Sequence, residues 1–494
     1  MKPGLLTLFL AAPLAAAFLL AAAHGARRKF AEIIGVSSPL ALLALSVYVF
    51  FVRGPEAVVY TFGGWPAPLG VVWVLDGLSM LIILAANFVA AAAAVYSIGY
   101  MKSYTAPAKY YALFNVMLGA INALALSGDL FNMFVFIELA SITTYALTAF
   151  GLERDQLEAS FKYVVLGSTA SAFILMGIAV IYSYSGTLNL ADVAAVMAAR
   201  GYSPAVPFAA ALFAVGLLLK AGMVPFHAWL PDVHSSAPAP VSALLSGVII
   251  KVTGLYALAR IFTVVAPFAG FMSNILLFVG PLSMVVGVLM SLGQWDFKRL
   301  LAYSTISQVG YIALGLGLGT PLGIVGGLYH LVNHAMFKSL LFLNAGAVEY
   351  SASTRDLKSA GGLAAKMPVT GATSLTASLA ISGVPPLNGF WSKFIIIIAA
   401  FQAGKYFAGA IAAVVSVFTL AIFLKVQKHI FWGKTKENLS SVKEAPLSMT
   451  LPMMALASAC VLLGVFYPVV RDALIQPAAA VLLRGIGYAS DVIK

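Results

Sequence analysis

Long apolar runs follow one another along almost the whole chain of 494 residues, with short polar breaks between them. About 20 apolar residues cross the hydrocarbon core of a bilayer as a helix, and a helix satisfies its own backbone hydrogen bonds there. We therefore predict an all-α polytopic membrane protein. About 14 transmembrane helices are expected, at 4–23, 33–52, 70–98, 109–127, 129–150, 161–184, 205–222, 240–263, 270–291, 299–319, 322–348, 368–401, 405–431 and 447–468.

The composition excludes most functions of soluble proteins. Only 9% of the residues are charged, whereas charged residues make up about a quarter of a soluble globular domain. The single cysteine, Cys460, lies inside an apolar run, which excludes a disulfide within the chain and a cysteine-ligated metal or iron–sulfur centre. No nucleophile constellation or glycine-rich phosphate loop lies between the runs. We expect no cofactor, no metal and no catalytic residues in this chain.

The net charge of +12 indicates membrane topology rather than nucleic-acid binding. Cytoplasmic loops of membrane proteins carry an excess of lysine and arginine. Loops after even-numbered helices hold little beyond Arg53, Arg200 and Lys405, and an even number of helices places both termini on one side. We therefore predict that both termini are outside and that the loops after odd-numbered helices are cytoplasmic. The basic residues of those loops are Arg27, Arg28, Lys29, Lys102, Lys109, Arg154, Lys298, Arg299, Arg355, Lys358, Lys366, Lys428, Lys434, Lys436 and Lys443.

Two of the predicted helices are interrupted. Pro225 and Pro231 lie in or after the seventh, and Pro385 and Pro386 lie in the twelfth. Proline removes a backbone donor, which the membrane interior tolerates only where protein or a hydrated cavity satisfies the freed groups. Paired interrupted helices in corresponding halves are typical of inverted-repeat transporters, whose ion sites lie near the middle of the membrane.

Ionisable residues inside apolar runs are candidates for ion translocation, because a charge there is costly unless it has a partner. Glu138 lies near the middle of the fifth predicted helix and is the one carboxylate so deep. Lys220 and Lys393 lie beside the two breaks, and Lys251 is central in the eighth helix. Burial disfavours an ammonium group and a nearby carboxylate favours it, so moving one partner switches a lysine between charged and neutral. We predict stepwise proton transfer, and the alternative is structural ion pairing between helices.

The eleventh predicted helix carries His330, His334 and Lys338 at spacings of four, which place them on one face. Histidine titrates near neutral pH and can accept a proton on one nitrogen while the other donates, which suits a relay. A zinc pair and buried polar packing are the alternatives, and zinc would need a third ligand where the helix has Lys338.

Polar residues around the first break have two interpretations. His227, Asp232 and His234 either line an entrance to the proton path or cap a broken helix. Asp76, in the segment DGLS, is expected to cap the start of the third helix rather than to form a site.

The segment from Lys220 to Gly247, KAGMVPFHAWLPDVHSSAPAPVSALLSG, followed by KVTGLY at 251–256, resembles the signature of one membrane-protein family. These are the antiporter-like subunits of complex I, Mrp-type Na⁺/H⁺ antiporters and membrane-bound group 4 hydrogenases. Supporting matches are DGLS at 76–79, DFKRLLAYSTISQVG at 296–310, the helix from His330 to Lys338, and GVPPLNGFWSK at 383–393. The resemblance covers nearly the whole chain.

The resemblance implies 14 helices with two inverted five-helix repeats, each with an interrupted helix. Helices 1–3 would occupy 1–108, the repeats 109–263 and 264–431, and the last helix and tail 432–494. It also implies that Glu138 pairs with Lys220, that Lys251, His330 and His334 bridge the centre, and that Lys393 is the terminal site. The driving energy would arrive from other membrane subunits of a complex in a prokaryotic cell membrane, with or without a hydrophilic redox arm, and any oxidoreductase activity would belong to that complex.

Within the family, we favour a subunit that resembles the D-type subunit of Mrp antiporters or its counterpart in membrane-bound hydrogenases and sulfur reductases. Lysine at position 393 departs from the complex I type that carries an acid there. A proton-pumping N-type subunit of complex I and a stand-alone Na⁺/H⁺ antiporter are the alternatives. Sodium sites prefer several oxygen ligands, so with Glu138 as the sole deep carboxylate we expect this chain's own path to carry protons.

Overall fold

Helices make up most of the computed structural model, which describes residues 1–23, 27–200, 203–265 and 269–493. Two short strands are β1 (Val58–Thr61) and β2 (Val72–Leu75). The helices are α1 (Leu8–Ala22), α2 (Arg28–Val52), α3 (Gly77–Tyr100), α4 (Pro107–Leu126), α5 (Leu130–Thr148), α6 (Arg154–Ser185), α7 (Leu190–Arg200), α8 (Ala205–Lys220), α9 (Trp229–Ser236), α10 (Ala239–Leu244), α11 (Ala257–Val265), α12 (Ala269–Leu292), α13 (Phe297–Gly317), α14 (Pro321–Ala352), α15 (Pro368–Ser382), α16 (Asn388–Gln402), α17 (Tyr406–Val426), α18 (Leu447–Val465), α19 (Tyr467–Val470), α20 (Gln476–Arg484) and α21 (Tyr488–Val492).

The chain is an integral, multi-pass membrane protein. Among the described residues, eleven helical segments are long and apolar enough to cross a membrane. Large apolar side chains such as Phe18, Phe161 and Phe407 are more than two-thirds exposed on the outside of the bundle. A soluble monomer rarely exposes such a surface, because contact with water would cost free energy, whereas lipid chains accept it.

The strands depart from the all-α expectation. The apolar run predicted as a helix from residue 70 starts as β2, which pairs antiparallel with β1. Val72, Trp73 and Val74 are β-branched or aromatic, and such side chains fit a pleated strand. The helix begins only after Asp76, whose carboxylate accepts the backbone N–H of Ser79 at 2.8 Å. The expected capping role of Asp76 is therefore confirmed.

Helix α14 is the centre of the second half of the bundle. It packs against α3, α10, α13, α15, α16 and α18. Almost every side chain between Gly323 and Val348 is buried. Because neighbours surround this helix on all sides, its polar side chains contact protein groups rather than lipid.

Both predicted interruptions occur. The first separates α8 from α9, and Gly222 there has φ of +65°. The second separates α15 from α16, and Gly383 there has φ of +82°. Only glycine adopts this left-handed backbone at little cost, and it ends each helix so that the prolines can follow. A third irregularity lies between α10 and α11, where the chain forms the π-helical turns Leu245–Ile249 and Lys251–Tyr256.

The C-terminal tail packs on the chain's own helices. α20 contacts α3, α11 and α14. The side chains of Ile475, Ala478 and Ala479 are buried, and the Tyr488 ring lies 5.6 Å from the Arg260 guanidinium. The tail therefore covers one end of α3 and α11.

Candidate functional site

Glu138 and Lys220 form an ion pair inside the bundle. Helix α5 carries Glu138, and Lys220 is the last residue of α8, immediately before the first break. The Lys220 Nζ donates to Glu138 Oε1 at 3.0 Å and to the Ser141 hydroxyl at 2.8 Å. Glu138 also accepts a hydrogen bond from the Ser171 hydroxyl of α6. The Glu138 carboxylate and the Ser141 hydroxyl thus satisfy the buried ammonium group.

The two members of this pair differ in exposure. The Lys220 side chain is 2% exposed and the Glu138 side chain 25% exposed. Glu138 can therefore be reached from the surface of the chain, while Lys220 stays inside the bundle. The arrangement therefore suits a carboxylate that accepts a proton at the surface of the chain and passes it inward.

Lys251 lies in the second π-helical turn, completely buried. Its ammonium group donates to the backbone carbonyl of Ser246, in the preceding π-helical turn. π-helical turns inside α-helices occur frequently at functional sites. Helix α14 packs against that preceding turn, Leu245–Ile249, so the structure holds this lysine beside the helix that carries the predicted histidines.

His330, His334 and Lys338 are all completely buried along α14. The His330 Nδ1 and the Ser392 hydroxyl of α16 are 2.9 Å apart, and the two imidazole centroids are 6.4 Å apart. Lys338 donates to the Ser304 hydroxyl of α13. Neither ring nitrogen of His334 has a hydrogen-bond partner within the described parts of the chain. The predicted alignment on one face is present, and its members retain spare capacity to accept or donate a proton.

Lys393 lies on α16, one turn after the second break. Its ammonium group donates to the Ser416 hydroxyl of α17 at 3.4 Å and lies 4.9 Å from the centroid of the Tyr311 ring. It is 2% exposed, and an electrostatic interaction connects it with His330. No carboxylate pairs with it among the described residues, which distinguishes it from Lys220.

The three candidate entrance residues lie in different surroundings. Asp232 lines a cavity of about 240 Å³ and pairs with Lys162 and Arg299, each at 3.0 Å. His234 is completely buried and stacks on Phe342 of α14. His227 is half-buried in the first break. The structure thus places Asp232 at a polar cavity, which neither His227 nor His234 lines, and His234 in the interior.

Three groups of polar residues were not found from the sequence. Ser141 lies three residues after Glu138 on the same helix, so helical spacing alone could have found it. Ser171 and Ser416 come from other helices, and only packing reveals them. The third group is Arg260, which donates to Asp76 at 2.5 and 2.9 Å in a buried bidentate pair.

The histidines have no third side chain of a metal-ligating type beside them in the part of the chain that the structure describes. No three His, Cys, Asp or Glu side chains there are close enough together to hold a metal ion. His330 and His334 instead have Lys251, Lys338 and Lys393 as their electrostatic neighbours. Nearby ammonium groups repel a cation, so this cluster suits protons handed between bases rather than a bound metal.

Comparison with known proteins assigns the chain to a family. Residues 127–419, more than half of the chain, match the family model described as NADH:quinone oxidoreductase/Mrp antiporter, TM. The chain belongs to this family. Residues 66–111 match a second model, described as NADH-Ubiquinone oxidoreductase (complex I), chain 5 N-terminus. The family predicted from the motifs is therefore confirmed.

Several relatives within the NADH:quinone oxidoreductase/Mrp antiporter family resemble the chain over nearly its full length. The D subunit of the Na(+)/H(+) antiporter of Alkalihalophilus pseudofirmus is 34% identical over 92% of both chains. The N subunit of the NADH-quinone oxidoreductase of Desulforudis audaxviator is 35% identical over 89% of this chain and 90% of the relative. A chain of the membrane-bound sulfane sulfur reductase, an archaeal respiratory membrane complex, has a TM-score of 0.91 at 30% identity over 99% of both chains.

Proposed function

We propose that this chain is a proton-translocating, antiporter-like subunit of a multisubunit membrane complex. The complex is either an Mrp-type cation/proton antiporter or a redox-driven membrane-bound hydrogenase or sulfur reductase. The single observation that carries the proposal is the Glu138–Lys220 ion pair at a helix break. A charge inside a membrane helix bundle is costly, and such residues often mark ion pathways. Unlike the buried Asp76–Arg260 pair, which lies at the start of a helix, this pair lies directly before a helix break.

Protons move in steps between groups that influence one another electrostatically. Glu138 takes up a proton and the Lys220 pair opens. The freed ammonium charge then repels the next cation, so Lys251 releases its proton toward His334 and His330. His330 passes the proton to Lys393, the terminal site. Lys338 interacts electrostatically with Lys251 and Lys393 in the same buried cluster. The path carries H⁺ rather than Na⁺, because the cluster consists of amines and imidazoles and not of several oxygen ligands.

The finer architecture is part of the same proposal. The chain crosses the membrane 14 times, with three helices in 1–108, two inverted five-helix repeats in 109–263 and 264–431, and a last helix with the tail in 432–494. Two observations support it: each proposed repeat contains one interrupted helix, and each interruption has a glycine with positive φ followed by proline. Relative rotation of the two repeats would then change the distances within the buried cluster.

We further propose that the loops after odd-numbered helices face the cytoplasm of a prokaryotic cell, with both termini outside. Contacts among these basic loops support a shared side. Arg28 donates to the backbone carbonyl of Lys102 at 3.0 Å, and Arg355 donates to the carbonyl of Ser235 at 2.7 Å. Tyr100 donates to Glu349 at 3.3 Å, which connects the loop after the third predicted helix with the loop after the eleventh. These contacts support basic loops that gather at one face of the bundle, as the positive-inside rule requires.

Protons enter through the cavity at Asp232. Four carboxylates and three basic side chains line it, and such mixed charges keep an opening hydrated. His234 lies behind it, and electrostatic interactions connect His234 with Lys251 and Lys338. We place His227 at the outer lip of the first break, apart from this route.

The second candidate is an N-type, proton-pumping subunit of NADH-quinone oxidoreductase. The specific observation in its favour is the 35% identity to such a subunit. Both candidates share the relay and differ in their partners. An Mrp-type complex contains further antiporter-like and small membrane subunits, whereas a redox-driven pump carries a hydrophilic arm. A stand-alone Na⁺/H⁺ antiporter is the third candidate and needs no partner.

Copurification with transport assays separates these candidates. The tagged chain is purified gently from its native membrane, its partners are identified, and proton transport is measured in proteoliposomes. We expect Lys220→Ala to assemble normally and to lose at least 90% of transport. Lys405→Ala, an exposed lysine on the other face, is the matched control and is expected to transport like wild type.

The partners decide which complex it is. Hydrogenase-like, sulfur-reductase-like or NADH-dehydrogenase-like partners indicate a redox-driven pump, and small Mrp-type subunits indicate an antiporter. Ion exchange by the chain purified alone would overturn the subunit proposal. Normal transport by Lys220→Ala would overturn the relay.

A further inference from the structure

Helix α15 carries a stripe of hydroxyl side chains at every fourth position. We define the hydroxyl stripe as Thr370, Ser374, Ser378 and Ser382. Spacing of four places them on one face of the helix, over about 18 Å at 1.5 Å per residue. All four are buried, with exposures of 0–5%. The stripe therefore runs through the interior of the second half of the bundle and not along its lipid-facing surface.

A carboxylate lies at one end of the hydroxyl stripe. Glu444, in the loop before α18, accepts the Thr370 hydroxyl at 2.6 Å and the backbone N–H of Val369 at 2.8 Å. Its side chain is partly exposed. This end belongs to the face on which the basic loops gather.

A buried ammonium group lies at the other end. The Ser382 carbonyl accepts a hydrogen bond from the Ser416 hydroxyl at 3.1 Å, and Ser416 in turn accepts one from Lys393. Ser382 is the last residue of α15, directly before the second break. The stripe thus leads from a surface carboxylate to the terminal lysine of the proposed relay.

Two amide side chains join the middle of the hydroxyl stripe. The Gln427 Nε2 donates to the Ser374 hydroxyl at 3.1 Å and to the Ser378 hydroxyl at 2.9 Å. The Asn344 Oδ1 accepts the neighbouring Thr373 hydroxyl at 2.9 Å. The Gln427 Oε1 and the Asn344 Nδ2 are buried without a hydrogen-bond partner among the described residues. A buried polar atom without a partner costs about 1–3 kcal/mol, and such atoms beside hydroxyls are the surroundings in which proteins hold ordered water.

Helix packing alone accounts for only part of this arrangement. Small hydroxyl residues often line contacts between membrane helices, and their hydroxyls bond to carbonyls of their own helix. Ser382 does so with the carbonyl of Ser378 at 2.6 Å. Packing requires neither amide atoms with unused hydrogen-bonding capacity nor a lysine and a carboxylate at the two ends. The hydroxyl of Thr376, partly exposed on another face of the same helix, bonds within the described part of the chain to the carbonyl of Ala372 in its own helix.

We propose that the hydroxyl stripe is a hydrated proton route between Glu444 and Lys393, which gives the second half of the chain its own access to the basic-loop face. The inference rests on the proposed function, since it connects the terminal lysine of the same relay with solution. Glu444 takes a proton from solution, each water or hydroxyl accepts one proton and releases another, and the neutral Lys393 amine takes up the last. Protons and charge balance, and no other reactant is needed.

Cysteine accessibility tests the route directly. In a Cys460→Ala background, Ser374→Cys and Ser378→Cys are introduced into the complex in inverted and right-side-out vesicles. We expect a water-soluble, membrane-impermeant thiosulfonate to label both at least tenfold faster from the basic-loop face than from the opposite face. Thr376→Cys, at the same depth on the lipid-facing side, is the control and is expected to stay unlabelled. Labelling of Ser378→Cys no faster than Thr376→Cys would overturn the proposal.

Transport measurements separate this inference from the proposed function. We expect Ser378→Val to lower proton transport at least tenfold in the assembled complex, and Thr376→Val to leave it unchanged. If Lys220→Ala abolishes transport while Ser378→Val transports normally, the hydroxyl stripe is only packing and the relay stands. If Lys220→Ala itself transports normally, the proposed function fails. If Ser378→Val does not assemble, Ser378→Ala replaces it in the transport assay. Its transport, together with the labelling result, then decides whether the hydroxyl stripe carries protons.

Discussion

The buried pair between Asp76 and Arg260 allows a quantitative test of the structure. Arg260 donates to both carboxylate oxygens, at 2.5 and 2.9 Å, and to the Ser79 hydroxyl at 2.9 Å. The two side chains are 3% and 6% exposed, so solvent screens their attraction little. The pair joins the start of α3 to α11, two elements far apart in the chain.

Breaking one partner leaves the other as a buried, unpaired charge, which costs about 3–5 kcal/mol. Asp76→Asn is the sharper change, because asparagine still caps α3, so the loss reports the charge together with one guanidinium hydrogen bond. Arg260→Met is expected near the lower end of this range, since Arg53 also acts electrostatically on Asp76. Removing both charges by combining the two substitutions is expected to cost less than either single change, about 1–2 kcal/mol, because a buried pair replaced as a whole is often nearly neutral.

Unfolding in mixed micelles by titration with SDS, followed by tryptophan fluorescence, measures these free energies. The double-mutant cycle isolates the interaction between the two residues. The reasoning is refuted if the losses of the two single variants simply add in the double variant. It is also refuted if Asp76→Asn costs less than about 1 kcal/mol, since the guanidinium would then have found other solvation.

Further predictions concern buried contacts away from the relay. Asn87 and Asn122 exchange two hydrogen bonds at 2.9 and 3.0 Å. Asn122→Leu is therefore expected to lower the free energy of unfolding, measured by the same SDS titration, by about 0.6 kcal/mol and at most about 1.7 kcal/mol. Adding Asn87→Leu is expected to restore part of the lost free energy. Lys298 pairs with Glu349 at 2.8 Å, and the Lys298 side chain is only 2% exposed. Glu349→Gln is therefore expected to lower the free energy of unfolding by about 1–3 kcal/mol. An unchanged free energy of unfolding would show that the pair is solvated. A Cβ added at Gly254 would lie 2.7 Å from Ala221, the first residue after α8. Gly254→Ala is therefore expected to displace the second π-helical turn and to lower the midpoint of thermal unfolding. An unchanged midpoint would show that the backbone at the first break can shift to accommodate the methyl group.

Part of the candidate site could be predicted from the sequence. Glu138, Lys220, Lys251 and Lys393 each lie within apolar runs, and a charge in such a run requires a partner whatever the fold. Helical spacing also placed the histidines on one face of α14. Their alignment follows from local geometry, which depends only on residues close together in the chain.

The rest of the site could not be predicted, because its members are far apart in the chain. Ser171 contacts Glu138 across two helices, and Gln427 contacts the serines of α15 across about 50 positions. Lys298, counted as a basic loop residue, is instead buried in the first turn of α13 and paired with Glu349. Periodicity describes one helix at a time and contains no information on which helix lies beside it.

The sequence by itself determined that this protein lies in the membrane, that it is mainly helical and where two of its helices break. These properties depend on hydrophobicity, helix length and proline, which act within a single segment. Only the tertiary structure decided which side chains meet. Among the described residues, Lys220 pairs with the Glu138 carboxylate, whereas Lys393 contacts the Ser416 hydroxyl and the Tyr311 ring. The structure likewise decided that Arg260 pairs with Asp76. The physical reason is that the low dielectric of the bundle makes each buried charge depend on its few nearest neighbours, and packing brings those neighbours from distant parts of the chain.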